Sequence, residues 1–220
     1  MTRLAACFIV LVAALRTQAQ EVAVPANATI RVVTERVPLR ITGGTARRAI
    51  VCAGAAQATI RVEGQVVTIV APANAESVAV VVPRVDAAID VRSSSAHVTI
   101  DDVAAVVLRQ SSATARITRV RGNVTLEKKS GQAVLRQIGG DVHATTATAN
   151  VDANGVRGDV TVVSINGNTT LSCVAGSVSV SDTNGAIELA ATRGDVTVET
   201  TSGRATWRGE LVPERSYRMK

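Results

Sequence analysis

The sequence predicts an all-β protein: a parallel β-solenoid with eighteen-residue coils, each made of two unlike nine-residue strand–turn units. Three observations predict it. Glycine recurs every eighteen residues at Gly122, Gly140, Gly158, Gly176 and Gly194. A second series, offset by nine, runs Gly131, Ala149, Gly167, Gly185 and Gly203, with alanine standing once for glycine. Two and four residues after each of these positions comes a pair suited to one face of a strand, from Val124/Leu126 and Ala133/Leu135 to Val196/Val198 and Ala205/Trp207. Alternation of this kind with β-branched residues, broken by Gly, Asn, Asp and Ser, is the signal of half-buried strands joined by turns.

The two halves of a coil differ. Two residues before the main glycine stand Val120, Ile138, Val156, Val174 and Thr192; the matching slot in the other half holds Lys129, Ala147, Ile165, Thr183 and Thr201. Stacked nine-residue hairpins would not distinguish alternate halves in this way, whereas a coil of two unlike strands does, each strand pairing with its equivalent one coil on. A left-handed hexapeptide helix needs an aliphatic residue every six positions, but Val120 and Leu126 lead to Gln132, and Val156 and Val162 lead to Asn168. A calcium-binding nonapeptide roll needs G-G-x-G-x-D in each repeat, and each nine here carries about one glycine. The crossover rule makes right-handed winding the expectation.

Taken along the chain, residues 1–19 read as a secretory signal. Arg3 supplies the positive start, Leu4 to Leu15 the apolar stretch, and Thr17-Gln18-Ala19 a small-x-small cleavage site. The apolar run falls short of the ~20 residues that a membrane span needs. Leu4-Ala5-Ala6-Cys7 is similar to a lipoprotein box but precedes the apolar stretch instead of following it. Residues 20–78 are expected to form irregular strands that start and cap the stack, with Ile30, Ile41, Ile50, Ile60 and Ile69 marking them. Residues 79–210 form the regular solenoid, about seven coils and roughly 35 Å long at one strand spacing per coil. The period slips once, to eight, between Val98/Ile100 and Val106/Leu108, beside Asp101-Asp102, where a kink or bulge is expected. Trp207 ends the inward series as a cap, and residues 211–220, with Tyr217, fold over the open end as a tail that covers its edge.

Composition narrows the function. Loss of Arg3 and Arg16 with the signal leaves 22 basic residues against 18 acidic, a net +4. That excess is mild, no dense basic cluster occurs, and only Trp207 and Tyr217 could stack on bases, which argues against nucleic acid as a partner. Cys52, expected buried beside Ile50, and Cys173, expected near a turn, lie too many half-coils apart to pair. His97 and His143 fall outside the inward series, with no second ligand at metal spacing, so no metal or other cofactor is expected. A polysaccharide-cleaving solenoid would need carboxylates gathered in a cleft. The candidates Asp141, Asp159 and Asp195 follow main glycines, while Arg121, Arg157 and Arg193 precede them, so an exposed Arg–Asp ladder is expected. As a ligand site it would recognise anionic or sugar groups. The constant spacing from 122 to 203 leaves no inserted loop to wall a cleft, so an enzyme is not expected.

The G-D/N/S-V-x-V strands at Gly122–Leu126, Gly158–Val162, Gly176–Val180 and Gly194–Val198 resemble the bacterial “putative adhesin” domain family. The S/N-G steps at Ser130-Gly131, Asn166-Gly167, Asn184-Gly185 and Ser202-Gly203 fit as well. The likeness covers roughly residues 28 to 210. It implies an exported β-solenoid, periplasmic or at the cell surface, that binds or scaffolds an envelope protein or polysaccharide, and it brings no catalytic residues. The alternative is a self-assembling solenoid similar to the polymer-forming bactofilins.

Overall fold

A computed structural model describes residues 19–208 and 217–219; the signal segment and most of the tail lie outside them. The lead-in comprises β1 (Ala19–Ala23), β2 (Ala28–Thr34), β3 (Leu39–Gly44), β4 (Arg48–Cys52), β5 (Thr59–Glu63), β6 (Val66–Val70) and β7 (Val78–Pro83). The coils that follow are β8 (Ala87–Ser93) with β9 (Val98–Asp101), then β10 (Ala105–Gln110) with β11 (Thr114–Val120). Next come two single long strands, β12 (Val124–Ile138) and β13 (Val142–Val156). The last coils are β14 (Val160–Ser164) with β15 (Thr169–Val174), β16 (Val178–Asp182) with β17 (Ala186–Thr192), and β18 (Val196–Thr200) with β19 (Arg204–Arg208). A short β20 (Tyr217–Met219) adds parallel to β18. No helix of the described residues is long and apolar enough to cross a membrane.

The fold is the parallel β-solenoid that the glycine spacing predicts. Equivalent residues pair one coil apart, with Val124 opposite Val142, Val142 opposite Val160, Val160 opposite Val178 and Val178 opposite Val196. The second stack pairs Leu135 with Ala153, Leu171 and Leu189 in the same way. Parallel pairing puts like residue on like residue, so one alternating pattern, repeated, buries a continuous aliphatic column. The predicted inward pairs are buried from Val80/Val82 through Val196/Val198, as are Val120, Ile138, Val156, Val174 and Thr192. Only the terminal pair, Ala205 and Trp207, stays half-buried against the core. Each fully buried Leu or Ile contributes about 1.5–3 kcal/mol, which a nine-residue unit with two or three such positions needs to hold its backbone in place.

The lead-in does not stack in sequence order. The β2–β3 coil lies between the β6–β7 coil on one side and β8–β9 on the other. Beyond β6–β7 the pairing turns antiparallel: β5 on β6, β4 on β7 and β1 on β4. So β7, expected to open the regular solenoid at 79, belongs to the cap, and the sequential stack begins with β8. Register in β4 also differs from expectation. Ala49 and Val51 face the core, which leaves Ile50 and Cys52 half-buried; Ile60 in β5 is half-buried too. In the cap an antiparallel strand covers the stack's end with one face, so its parity follows its partner and not the downstream ladder.

The slip at Asp101-Asp102 is a shortened turn and not a bulge. Val103 fills the slot of Val120, and the next inward residue is Val106, three on, whereas Val120 is followed by Val124, four on. The aspartates near the slip are each paired with arginine: Asp86 with Arg47, Asp90 with Arg31, Arg92 and Arg109, Asp101 with Arg119, and Asp102 with Arg84 and Arg121.

The glycine ladder reflects closeness between coils. The Gly158 N–H donates to the Gly140 carbonyl, and a Cβ on Gly158 would lie 2.6 Å from that carbonyl's carbon. On Gly140 it would lie 2.7 Å from the carbonyl carbon of Gly122. None of the main glycines has a left-handed backbone. The left-handed conformation runs down a neighbouring column, Asp102, Arg119, Gln137, Gly155, Cys173 and Ala191, with φ between 50 and 75° and a single glycine among them.

Candidate binding groove

A polar column runs inside one corner of the coil. Strand alternation that turns Val124 and Leu126 inward also turns in the next residue of that parity, Lys128. Its equivalents from coil to coil are Thr34, Ser93, Gln110, Thr146, Ser164, Asp182 and Thr200, and all but Thr200 are buried. Most of them close the turn that follows. Ser93 Oγ accepts the Ala96 N–H at 3.2 Å, Ser164 Oγ that of Gly167 at 3.1 Å, and Thr200 Oγ1 that of Gly203 at 2.9 Å; Asp182 Oδ1 accepts that of Gly185. Short side chains suit this task because their oxygen reaches the backbone three residues on without crossing the core.

Three adjacent coils depart from this arrangement, those of Gln110, Lys128 and Thr146. β12 and β13 run through the corner as uninterrupted fifteen-residue strands, so no tight turn presents an N–H there. Lys128 Nζ reaches back instead, donating to Gln110 Oε1 and, at 2.6 Å, to the Ala113 carbonyl. Gln110 is itself anchored by its Nε2 on the Ala96 carbonyl. Thr146, directly opposite Lys128 in register, is 4% exposed, and its Oγ1 has no hydrogen-bond partner among the described residues. A buried hydroxyl left unpaired costs about 1–3 kcal/mol.

A groove of about 810 Å³ opens along the outside of this corner. It reaches from Thr34 past Arg92, Gln110, Lys128 and Thr146 to Ile165, crossing six rungs, or roughly 24 Å at one strand spacing each. Its polar wall carries Ser94, Ser111 and Thr145; Val33, Ala147 and Ile165 supply aliphatic surface. Of its cations, Arg109 is held by Asp90 at 3.3 Å and Glu127 at 3.2 Å, and Arg92 approaches Asp90 at 3.9 Å. Lys128 and Lys129 form no ion pair among the described residues. Burial lowers the Lys128 pKa from 10.5 to about 8, because desolvation penalises the ammonium. Lys128 is 3% exposed, and the two oxygens it bonds are both uncharged.

The residues singled out from the sequence lie on the opposite corner and do another job. Asn123 Oδ1 accepts the Asp141 N–H at 2.9 Å, Asp141 Oδ1 that of Asp159 at 2.9 Å, and Asp159 Oδ1 that of Ser177 at 2.7 Å. The carboxylates therefore bond backbone of the next coil, and the expected Arg–Asp pairs are not the contacts made. Arg121 turns to Asp102 at 3.9 Å; Arg157 and Arg193 are exposed and pair with neither Asp141 nor Asp159. Asp195 continues the column on the surface. Arg119, Arg121 and Arg157 border a smaller hollow of about 480 Å³, floored by Gly139 and Gly155. His143 lies in the wall of the large groove, His97 is exposed, and neither belongs to a cluster of three or more metal-ligating side chains among the described residues. Cys52 and Cys173 form no disulfide.

Sequence reading missed Lys128, Thr146 and Gln110 because it stopped at the pair of inward residues after each glycine. The signal was present: the third position of that parity is polar in every coil, Lys128, Thr146, Ser164, Asp182 and Thr200.

No family model and no curated protein matches the chain. Two solved structures are similar to it. One is described as a “putative adhesin” from Parabacteroides distasonis, 14% identical, with a TM-score of 0.47 over 93% of this chain and 97% of that one. The other is a “putative cell adhesion protein” from Clostridium sporogenes, 9% identical, with a TM-score of 0.31 over 89% of this chain and all of that one.

Proposed function

We propose that this protein is a non-enzymatic binding scaffold, exported to the bacterial cell envelope, which holds an envelope ligand in the groove beside β12 and β13. The observation that carries this reading is the break in the turn-closing column. At two coils this column carries a lysine and an unpartnered threonine in place of a turn-closing side chain, bordering the groove of about 810 Å³. A rigid stack of paired strands presents such a groove without any moving part, which favours binding by preorganisation. The carboxylates best placed by sequence for hydrolysis, Asp141 and Asp159, accept backbone N–H groups and lie on the opposite corner. Export rests on residues 1–19, whose pattern is that of a secretory signal.

The test is binding of the purified protein to an array of envelope polysaccharides and outer-surface proteins, alongside an Ile165→Trp variant. Ile165 is half exposed in the groove, so the indole fills it without entering the core. Saturable binding that the variant weakens at least tenfold is expected. Binding that is equal in both proteins, or absent from both, overturns the reading.

A further inference from the structure

We propose that two copies of this protein join head to head at their capped ends, the β5 strand of each pairing antiparallel with that of the other about Val62. The interface lies at the end of the stack, beyond β6, and is independent of what the groove binds. Among the described residues β5 pairs only with β6, so its other side is an open edge. The hairpin fixes which groups lie on that edge. Glu63 and Val66 flank a two-residue turn, Gly64-Gln65, with Gly64 at a φ of 59°, and so form its hydrogen-bonded closing pair. Alternation then commits the main-chain groups of Glu63, Arg61 and Thr59 to β6 and turns the N–H and C=O of Val62 and Ile60 outward. The side chains of the same two residues are also incomplete in their contacts. Ile60 and Val62 stand opposite Ile69 and Val67, both buried, and therefore lie on the core face of the sheet. Val62 is nevertheless 48% exposed, because the aliphatic column ends at this strand with no further one laid against it.

Free main-chain groups and an uncovered core residue on one strand suit another strand added at the edge. The charge pattern of β5 selects a second copy of itself. Outward groups must meet outward groups, so a second β5 has three registers: Val62 opposite Val62, Ile60 opposite Val62, or Ile60 opposite Ile60. The second register sets Arg61 directly against the partner's Arg61, which like charge disfavours. The third leaves Val62 and Glu63 outside the paired strands. The first sets Arg61 against the partner's Glu63 on both sides of the two-fold axis, and lays Val62 on Val62 with each N–H donated to the other's carbonyl. Arg61 and Glu63 are both exposed and form no ion pair among the described residues, so each is free for the other copy. On β1 and β4, Glu21 and Arg48 are paired with each other at 3.0 Å and add no competing charge. Pairing of this kind uses up both capped ends, so it closes at two chains and starts no filament.

Sedimentation velocity of the purified protein tests this. The wild type is expected as a single species of two chains across the loading concentrations. Arg61→Glu and Glu63→Arg should each sediment as one chain while keeping the wild-type circular dichroism, since either change sets like charges opposite each other at both positions. Mixed in equal amounts, the two variants should again give a species of two chains, because each supplies the charge that the other now lacks. A variant carrying both substitutions should likewise sediment as two chains on its own. A wild type that sediments as one chain overturns the proposal. So does a two-chain species that survives in both single variants, which would place the contact elsewhere on the molecule. Single variants that stay as one chain when mixed would overturn the register, and with it the antiparallel pairing about Val62.

Discussion

At the scale of single residues, two features set the stability of this chain in opposite directions. The first is steric. Gly158→Ala would drive a methyl into the Gly140 carbonyl, which is backbone and cannot turn away, and should cost about 2–3 kcal/mol. Gly122→Ala meets only the Ala104 oxygen, at 3.0 Å, and should cost less than ~1 kcal/mol. Urea midpoints of the two variants, compared at equal m-value, check the difference. The second is conformational: Ala191 holds a φ of 50° that only glycine adopts without strain. Ala191→Gly should therefore stabilise the protein by about 0.5–1 kcal/mol, the relief of left-handed strain less the extra chain entropy of glycine. A lowered melting temperature in that variant would refute the argument. Lys128 adds a dependence on pH. Its folded pKa is about 8 against 10.5 unperturbed, so between these values the unfolded chain binds more protons than the folded one. Stability should rise as pH climbs through that window and be insensitive to this group below it. Subtracting the melting curve of Lys128→Met, pH by pH, isolates the effect.

At the scale of strands and turns, the same alternation was legible in the sequence where one face is buried by a parallel neighbour. From Val106 through Val196/Val198 every inward pair read from the glycines is buried in the structure, because each strand is templated by its equivalent and a slip of one residue would expose the whole column. Legibility ended where the partner is not the equivalent strand. Ile50 and Ile60 misread because β4 and β5 pair antiparallel with strands that do not share their repeat. The role of Asp141 and Asp159 was hidden for a different reason: composition cannot tell a carboxylate that faces an arginine from one that accepts a backbone N–H. The candidate groove was half visible, since Lys128 breaks a run of short polar residues, but the unbroken passage of β12 and β13 through the corner has no signal in Ser130-Gly131 or Thr148-Ala149. The Asx ladder predicts that Asp159→Ala loses about 1 kcal/mol by leaving the Ser177 N–H to water, and that Asp159→Asn, which keeps an acceptor, loses less. Chemical denaturation of the pair distinguishes them, and neither substitution should alter ligand binding at the far corner.

At the scale of the molecule, a stack in which each coil touches only its neighbours should not protect its amides evenly. The two long strands, flanked by coils on both sides, are expected to exchange slowest, and β19 and β20, at the C-terminal end, fastest. Hydrogen–deuterium exchange followed by mass spectrometry reads this directly, and uniform protection would contradict it. At the other end the antiparallel strands β1, β4 and β5 change the pairing rule, so a second copy cannot continue the parallel ladder there. A single sedimenting species across a range of concentrations is expected, and filaments would show that this end does not block stacking.

The insertion of the β2–β3 coil between β6–β7 and β8–β9 bears on how the chain acquires its structure in time. The first coil to emerge during synthesis or export has neither of its eventual neighbours, and both must arrive later, from residues 66–83 and 87–101. Winding from the amino terminus is therefore impossible for this part. Some seventy residues have to come together in one concerted, high-contact-order event, with its slow loop closures, before a template exists. Once it does, every following coil needs only the one before it, so growth toward the carboxyl terminus becomes local and fast. The irregular lead-in acts as the seed on which the repetitive body is laid down, and mutations there should slow folding where those in later coils chiefly speed unfolding.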